Sequence, residues 1–227
     1  MSSPGFERIG HGGASALAPA NTLASFDAAR DVGIDTVEFD VRAWGRELVL
    51  AHTVFHARRG GNIRLREALA HLSAPRFSDI GLNVDVKHVG CEQALIDGLR
   101  DAGLLHRTLI SSQVPAVLDR VRALEPRARV GVSVGGRVAR MCGAYLQKVP
   151  PSRRWRDWRA QVLAGLESRR WDALMAQHRL VGASLLEEVV ARRGLLYVWT
   201  VNERRSIDRL RALGVHGIAT SDPRLFA

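Results

Sequence analysis

Apolar and polar residues alternate in short runs, and the runs recur along the chain. Val37, Phe39 and Val41 alternate with Glu38 and Asp40. That is a strand with acids on one face and apolar side chains on the other. Residues 82–87, Leu-Asn-Val-Asp-Val-Lys, repeat the pattern. Further strands are predicted at residues 8–11, 108–112, 130–134, 173–176, 195–201 and 217–220. Helical periodicity fills the gaps at residues 23–31, 65–72, 91–102, 115–125, 184–193 and 203–213. Asn21 or Thr22 caps the first helix, Gly33 ends it, and Pro115 opens a later one.

One apolar run breaks the alternation. Residues 46–52 follow the preceding strand after a turn too short for a crossover helix. This run folds back as a hairpin arm and brings His52 toward Glu38. Without it, eight strands remain, most separated by roughly 21 to 28 residues, the length of one strand-helix unit. Eight such units predict a single (β/α)₈ TIM barrel over residues 1–227. Only seven residues follow the last strand, so the eighth helix is short or missing. A doubly wound open sheet is the alternative, and the chain has no glycine-rich nucleotide fingerprint to favour it.

Apolar residues make up 46% and charged residues 25%, an ordinary globular balance. No apolar run approaches the roughly 20 residues of a membrane span. The first residues lack a basic start followed by an apolar core, so no signal peptide is expected. Cys91 and Cys142 have no metal or redox spacing and read as thiols in a reducing compartment, so a cytoplasmic location is expected. The net charge of +10 is uneven. Residues 137–170 hold nine basic and two acidic residues and supply +7 of it. This basic insertion lies between the fifth and sixth barrel strands. A local patch of this kind points to an anionic partner: phosphate, lipid head group or nucleic acid.

In a barrel the C-terminal strand ends meet at one rim. That rim collects His11 from the first strand, Glu38 and Asp40 from the second, His52 from the hairpin, Asp85 and Lys87 from the third, and Trp199 from the seventh. Glu38 and Asp40 alone are equally the outward face of an amphipathic strand. Together with Asp85 they suit a hard divalent cation, Ca²⁺ or Mg²⁺, which prefers oxygen ligands. His11 and His52 suit proton transfer, since the unperturbed imidazole titrates near 6.5. The other six histidines lie off this constellation.

The ordered set His11-Gly-Gly, Pro19-Ala-Asn-Thr, Glu38-Phe-Asp-Val, Ala51-His52, Asp85-Val-Lys87, Trp199-Thr-Val-Asn and Thr220-Ser-Asp-Pro resembles the glycerophosphodiester phosphodiesterase family over nearly the whole chain. The resemblance implies a (β/α)₈ barrel with one Ca²⁺ or Mg²⁺ on Glu38, Asp40 and Asp85. His11 and His52 are the implied acid and base, and Lys87 and Trp199 the implied substrate contacts. The implied reaction cleaves glycerophosphodiesters to glycerol 3-phosphate and an alcohol. The implied attacking group is the substrate's own 2-hydroxyl, giving a cyclic phosphate that water then opens. The family typically has His-Arg-Gly, Pro-Glu-Asn-Thr and His-Asp where this chain has Gly12, Ala20 and Thr53, and a glutamate at the position of Asp85. The alternatives are a lysophospholipase D or sphingomyelinase D-like lipid phosphodiesterase, and a degenerate barrel that binds phosphate ligands without turnover. The expected partner is a small glycerophosphodiester or lysolipid and not nucleic acid. Peripheral membrane contact through residues 153–170 is a second expectation. There Trp155, Trp158, Val162 and Leu166 share one helical face, either packed on the barrel or forming a cap over the rim.

Overall fold

The computed structural model describes residues 5–135 and 151–227. Eight parallel strands form the barrel: β1 (Glu7–Gly10), β2 (Thr36–Trp44), β4 (Gly81–Val86), β5 (Thr108–Ser112), β6 (Arg129–Val134), β7 (Ala173–Gln177), β8 (Leu195–Trp199) and β9 (Gly217–Thr220). Each pairs with the next, and β1 closes the ring by pairing with both β2 and β9. The remaining strand, β3 (Glu47–Leu50), runs antiparallel to β2 and forms the expected hairpin arm, with Trp44 opposite Glu47 and Val41 opposite Leu50.

The helices are α1 (Leu23–Val32), α2 (Val54–Arg58), α3 (Leu65–Leu72), α4 (Glu92–Asp101), α5 (Pro115–Leu124), α6 (Pro151–Glu167), α7 (Ala183–Ala191) and α8 (Arg204–Leu213). Thr22 caps α1 and exchanges hydrogen bonds with Ser25, while Gly33 ends the helix in the left-handed region. Helix α2 was not foreseen; at five residues it is too short to show an apolar period. Thr53 caps it by accepting from the His56 amide at 3.1 Å. After β9 the chain makes only a 3₁₀ turn, Pro223–Phe226, so the eighth barrel helix is vestigial as expected. No helix among the described residues is long and apolar enough to cross a membrane.

Strand alternation divides the core in two. Val37, Phe39, Val41, Val84, Val86, Val130 and Val132 face outward and pack under the helices. Phe39 stacks obliquely on Phe26 of α1 with ring centroids 5.5 Å apart. The inward-facing residues are smaller and more polar. A lower plug of Ile9, Leu109, Ala173, Met175 and Tyr197 supports an upper layer that includes Glu38, Ser111 and Ser133. The plug fills the barrel, and the polar layer above it marks the C-terminal end as the site.

Helix α6 carries part of the basic segment. Val162, Leu163 and Leu166 are buried in the outer core, and Trp158 packs against it. Gly165 lies against the Trp171 ring, leaving no room for a side chain. Arg159 turns aside to Glu188 and Ser184 on α7, and Arg170 pairs with Asp119 on α5. The described part of this helix therefore packs as the outer helix of its strand-helix unit. Residues 137–150 and the side chains of Arg153, Arg154 and Trp155 lie outside the described residues.

Trp158→Ala should therefore lower folding stability by about 1–3 kcal/mol, less than the loss for a fully buried tryptophan. Urea denaturation measures this, and steady-state kinetics on the same variant should show kcat/KM little changed. Undiminished stability would mean that Trp158 does not pack on the barrel.

Candidate active site

All seven expected site residues converge at the C-terminal rim. The parallel register sets Asp40 beside Asp85 and Glu38 beside Asn83. Oxygens of Glu38, Asp40 and Asp85 all lie within 4.8 Å of one another. Glu38 and Asp40 are only 5% and 3% exposed, so three acids share a pocket nearly out of water. Such a group stands only if positive charge and hydrogen bonds compensate it.

Each acid has its own partners. Glu38 Oε2 accepts the Gly12 amide at 2.8 Å and lies 2.8 Å from His11 Nδ1. Asp40 Oδ2 accepts Asn21 Nδ2 at 2.9 Å and lies 3.2 Å from His52 Nδ1. Asp85 Oδ2 accepts Lys87 Nζ at 2.5 Å. Lys87 Nζ also lies 2.5 Å from Asp40 Oδ1, without the alignment of a hydrogen bond. Asp40 Oδ1 and Asp85 Oδ1 are both buried and have no hydrogen-bond donor.

The charges tune one another. Burial opposes the Asp40 charge, but Lys87 and then His52 outweigh it and hold the carboxyl well below the usual range. Burial pushes Asp85 up to about 6; Lys87 opposes this, while Asp40 and Glu38 add to it. Burial also opposes the Lys87 charge, and Asp85, Asp40 and Glu38 together raise its pKa above the ordinary lysine value. His11 follows the same logic: burial lowers it, Glu38 and Asp40 more than offset that, and it is pushed up to about 9. Two like charges side by side on adjacent strands cannot both be ionised cheaply, which is why Asp40 and Asp85 move in opposite directions.

The rings of His11 and His52 each turn Nδ1 to a carboxylate, which is an acceptor only. The Nδ1 positions therefore carry the protons, leaving each Nε2 for other chemistry. Trp199 lines the same cavity and donates Nε1–H to the Met175 carbonyl at 2.9 Å, which fixes the indole.

Sequence reasoning missed several contributors. The sequence marks Asn21 as a candidate helix cap and as part of the Pro19-Ala-Asn-Thr run, with no role at the acids. In the structure Thr22 is the cap, and Asn21 brackets Asp40 instead, donating Nδ2–H to Oδ2 and accepting the Asp40 amide at 2.9 Å. Asn21 adopts φ 62°, a conformation asparagine tolerates better than most residues. Ser111, Gln113 and Ser133 also line the cavity. His88, placed off the constellation, accepts the Ala43 amide on Nε2 at 2.9 Å and so pins the β2 side of the hairpin, opposite the arm that carries His52. No single-residue signal marks these positions. They matter only because barrel closure brings their strands together.

Residues 11–44 and 79–225 match the model of the glycerophosphoryl diester phosphodiesterase family. The chain is 25% identical to a glycerophosphodiester phosphodiesterase of Caldanaerobacter subterraneus subsp. tengcongensis, covering 95% of this chain and 93% of that protein. Among solved structures it resembles a phosphodiesterase of Oleispira antarctica in complex with the product sn-glycerol-3-phosphate, with TM-score 0.74 and 21% identity, covering 96% and 94% of the two chains. It also resembles a glycerophosphoryl diester phosphodiesterase structure from Silicibacter pomeroyi, with TM-score 0.78 and 20% identity, covering 98% and 92%.

Asn21→Ala removes two buried hydrogen bonds to Asp40 and places alanine at a positive φ. It should cost about 1–3 kcal/mol of stability. Asn21→Ala should also lower turnover by loosening Asp40; Asn21→Gly relieves the backbone strain but restores neither bond, so it should recover part of the stability and none of that turnover. Denaturation and turnover measured on both variants would separate the two contributions. Full activity in Asn21→Gly would show that the Asp40 bracket is dispensable.

Proposed function

Because the chain belongs to the glycerophosphoryl diester phosphodiesterase family, we propose that it hydrolyses glycerophosphodiesters to glycerol 3-phosphate and an alcohol, using one divalent cation and two histidines. The observation that carries this reading is the joint arrangement of three clustered acids, two of them buried, and two histidines, each ring held by one of those acids. The donor set fits a hard cation: the chemistry is all carboxylate oxygen, and Asp40 Oδ1 and Asp85 Oδ1 are buried without donors. When bound, Ca²⁺ or Mg²⁺ on Glu38, Asp40 and Asp85 would supply positive charge to the phosphoryl oxygens.

The chain's own groups do the rest. Glu38 and Asp40 orient the two imidazoles and fix their Nδ1 protons. One Nε2 takes the proton of the attacking oxygen as its bond to phosphorus forms. The other Nε2 gives a proton to the alcohol oxygen as the bond between phosphorus and that oxygen breaks. Lys87 pairs with Asp40 and Asp85 and lines the same cavity, where its charge also faces a bound phosphate. Trp199 forms a wall against the glycerol. Thr53, where the family usually has aspartate, keeps the helix-capping role that an aspartate there would also fill.

EDTA should abolish hydrolysis of glycerophosphodiesters, and Ca²⁺ or Mg²⁺ should restore it; full turnover in excess chelator would contradict the metal assignment. His11→Ala and His52→Ala should each lower kcat by about 10²-fold or more, the usual scale for loss of a general acid or base. Near-normal turnover in either variant would remove that histidine from the mechanism.

A further inference from the structure

Two cavities meet at the histidine pair. The smaller, about 70 Å³, lies inside the barrel among Asn83, Asp85, Lys87 and Trp199. The larger, about 560 Å³, opens outward between the loop after β1 and the helix α2 that follows His52. His11 and His52 line both. A phosphate held between the two rings therefore directs one substituent into each space. On the reading above, the compact inner cavity suits the glycerol, and the outer groove receives the alcohol.

The groove has a definite electrical character. Among the described residues the only acid lining it is Asp40, which is buried, bonded to Asn21 and His52, and pressed against Lys87. The cationic and titratable side chains on its walls are His11, His52, His56 and Arg59. Arg59 is exposed, and no ion pair or hydrogen bond holds its guanidinium among the described residues. Asn62 closes the end of α2 by donating to the His56 and Ala57 carbonyls, which fixes the wall that carries His56 and Arg59. No Phe, Tyr or Trp lines the groove among the described residues, so a quaternary ammonium finds neither one of the π faces it favours nor a free carboxylate there. Beyond His11, the opposite wall carries only small or neutral side chains, Gly12, Ser15, Ala20 and Asn21. A Cβ on Gly12 would meet the Ala20 methyl at 3.0 Å, at a φ of +59°, so these two small residues pack closely and bring no charge to the wall.

We propose that this groove is the subsite for the leaving alcohol, and that Arg59, flanked by His56, selects alcohols carrying a second phosphate. The proposal rests on the phosphodiesterase reading. A guanidinium presents a planar fork that matches a phosphate's oxygens, and Arg59 is the one arginine on the groove wall among the described residues. A substrate of this class is a glycerophosphodiester whose alcohol carries a second phosphate group, such as a further phosphodiester. One with choline or ethanolamine meets only like charge.

The test compares kcat/KM for bis(glycerophospho)glycerol with kcat/KM for glycerophosphocholine. It uses the wild-type protein, Arg59→Gln, Arg59→Glu and Arg59→Lys, with melting temperatures to verify folding. The wild type should favour the phosphate-bearing alcohol. Arg59→Gln should cut the ratio of the two kcat/KM values by about 10-fold, chiefly through KM, and Arg59→Glu by more. Arg59→Lys should retain most of the preference, and rising ionic strength should erode it. A ratio unmoved by Arg59→Glu, or a wild-type preference for glycerophosphocholine, overturns the subsite while leaving the phosphodiesterase reading intact. If the wild type cleaves neither diester with Ca²⁺ or Mg²⁺ present, the phosphodiesterase reading falls, and the subsite falls with it.

Discussion

The register between β2 and β4 sets Asp40 against Asp85, and two buried carboxylates in contact demand positive charge. Much of the rim answers that demand. Lys87 sits between the two acids, His52 leans on Asp40, and His11 leans on Glu38 one alternation below. The residual cost appears as an Asp85 pushed up to about 6 by burial and by its acidic neighbours. The strain is local, and it marks a place where a further cation is welcome. Perturbed carboxylates of this kind concentrate where chemistry is done.

The barrel holds this arrangement by contrast between its layers. Bulky aliphatic residues fill the outer core and the plug below the site. Serines, an alanine and the acids occupy the upper interior, where large side chains would close the cavity. The hairpin formed by β2 and β3 adds what a plain strand-helix unit lacks. It returns the chain over the rim and presents His52 from a second direction, with His88 accepting the Ala43 amide and Arg42 reaching the His52 carbonyl. Two histidines brought to one rim from different directions thus follow from a turn too short to hold a helix.

The departures from the family pattern also have a common physical consequence. Gly12 and Ala20 remove side chains from one wall of the groove, and α2 supplies His56 and Arg59 on the other. The charge beside the histidines on this groove therefore comes from the loop after β3.

The sequence by itself determined the period of every barrel strand and of the longer helices, the order of the strands, the hairpin and the vestigial last helix, because these depend on local alternation and turn length. It also named the acids and histidines, since residue type at a strand end is legible without coordinates. It did not reveal which carboxylates touch, that Asn21 brackets Asp40 while Thr22 caps the helix, or that His88 anchors the hairpin. It gave two readings of the Trp158 face, and packing chose the inward one for the described part of the helix. Those outcomes depend on the interstrand register and on closure of the β1–β2 and β1–β9 pairs, which join residues far apart in the chain. A five-residue helix and a groove walled by two loops have no periodic signature, so only the tertiary structure placed Arg59 on the same groove as the histidines.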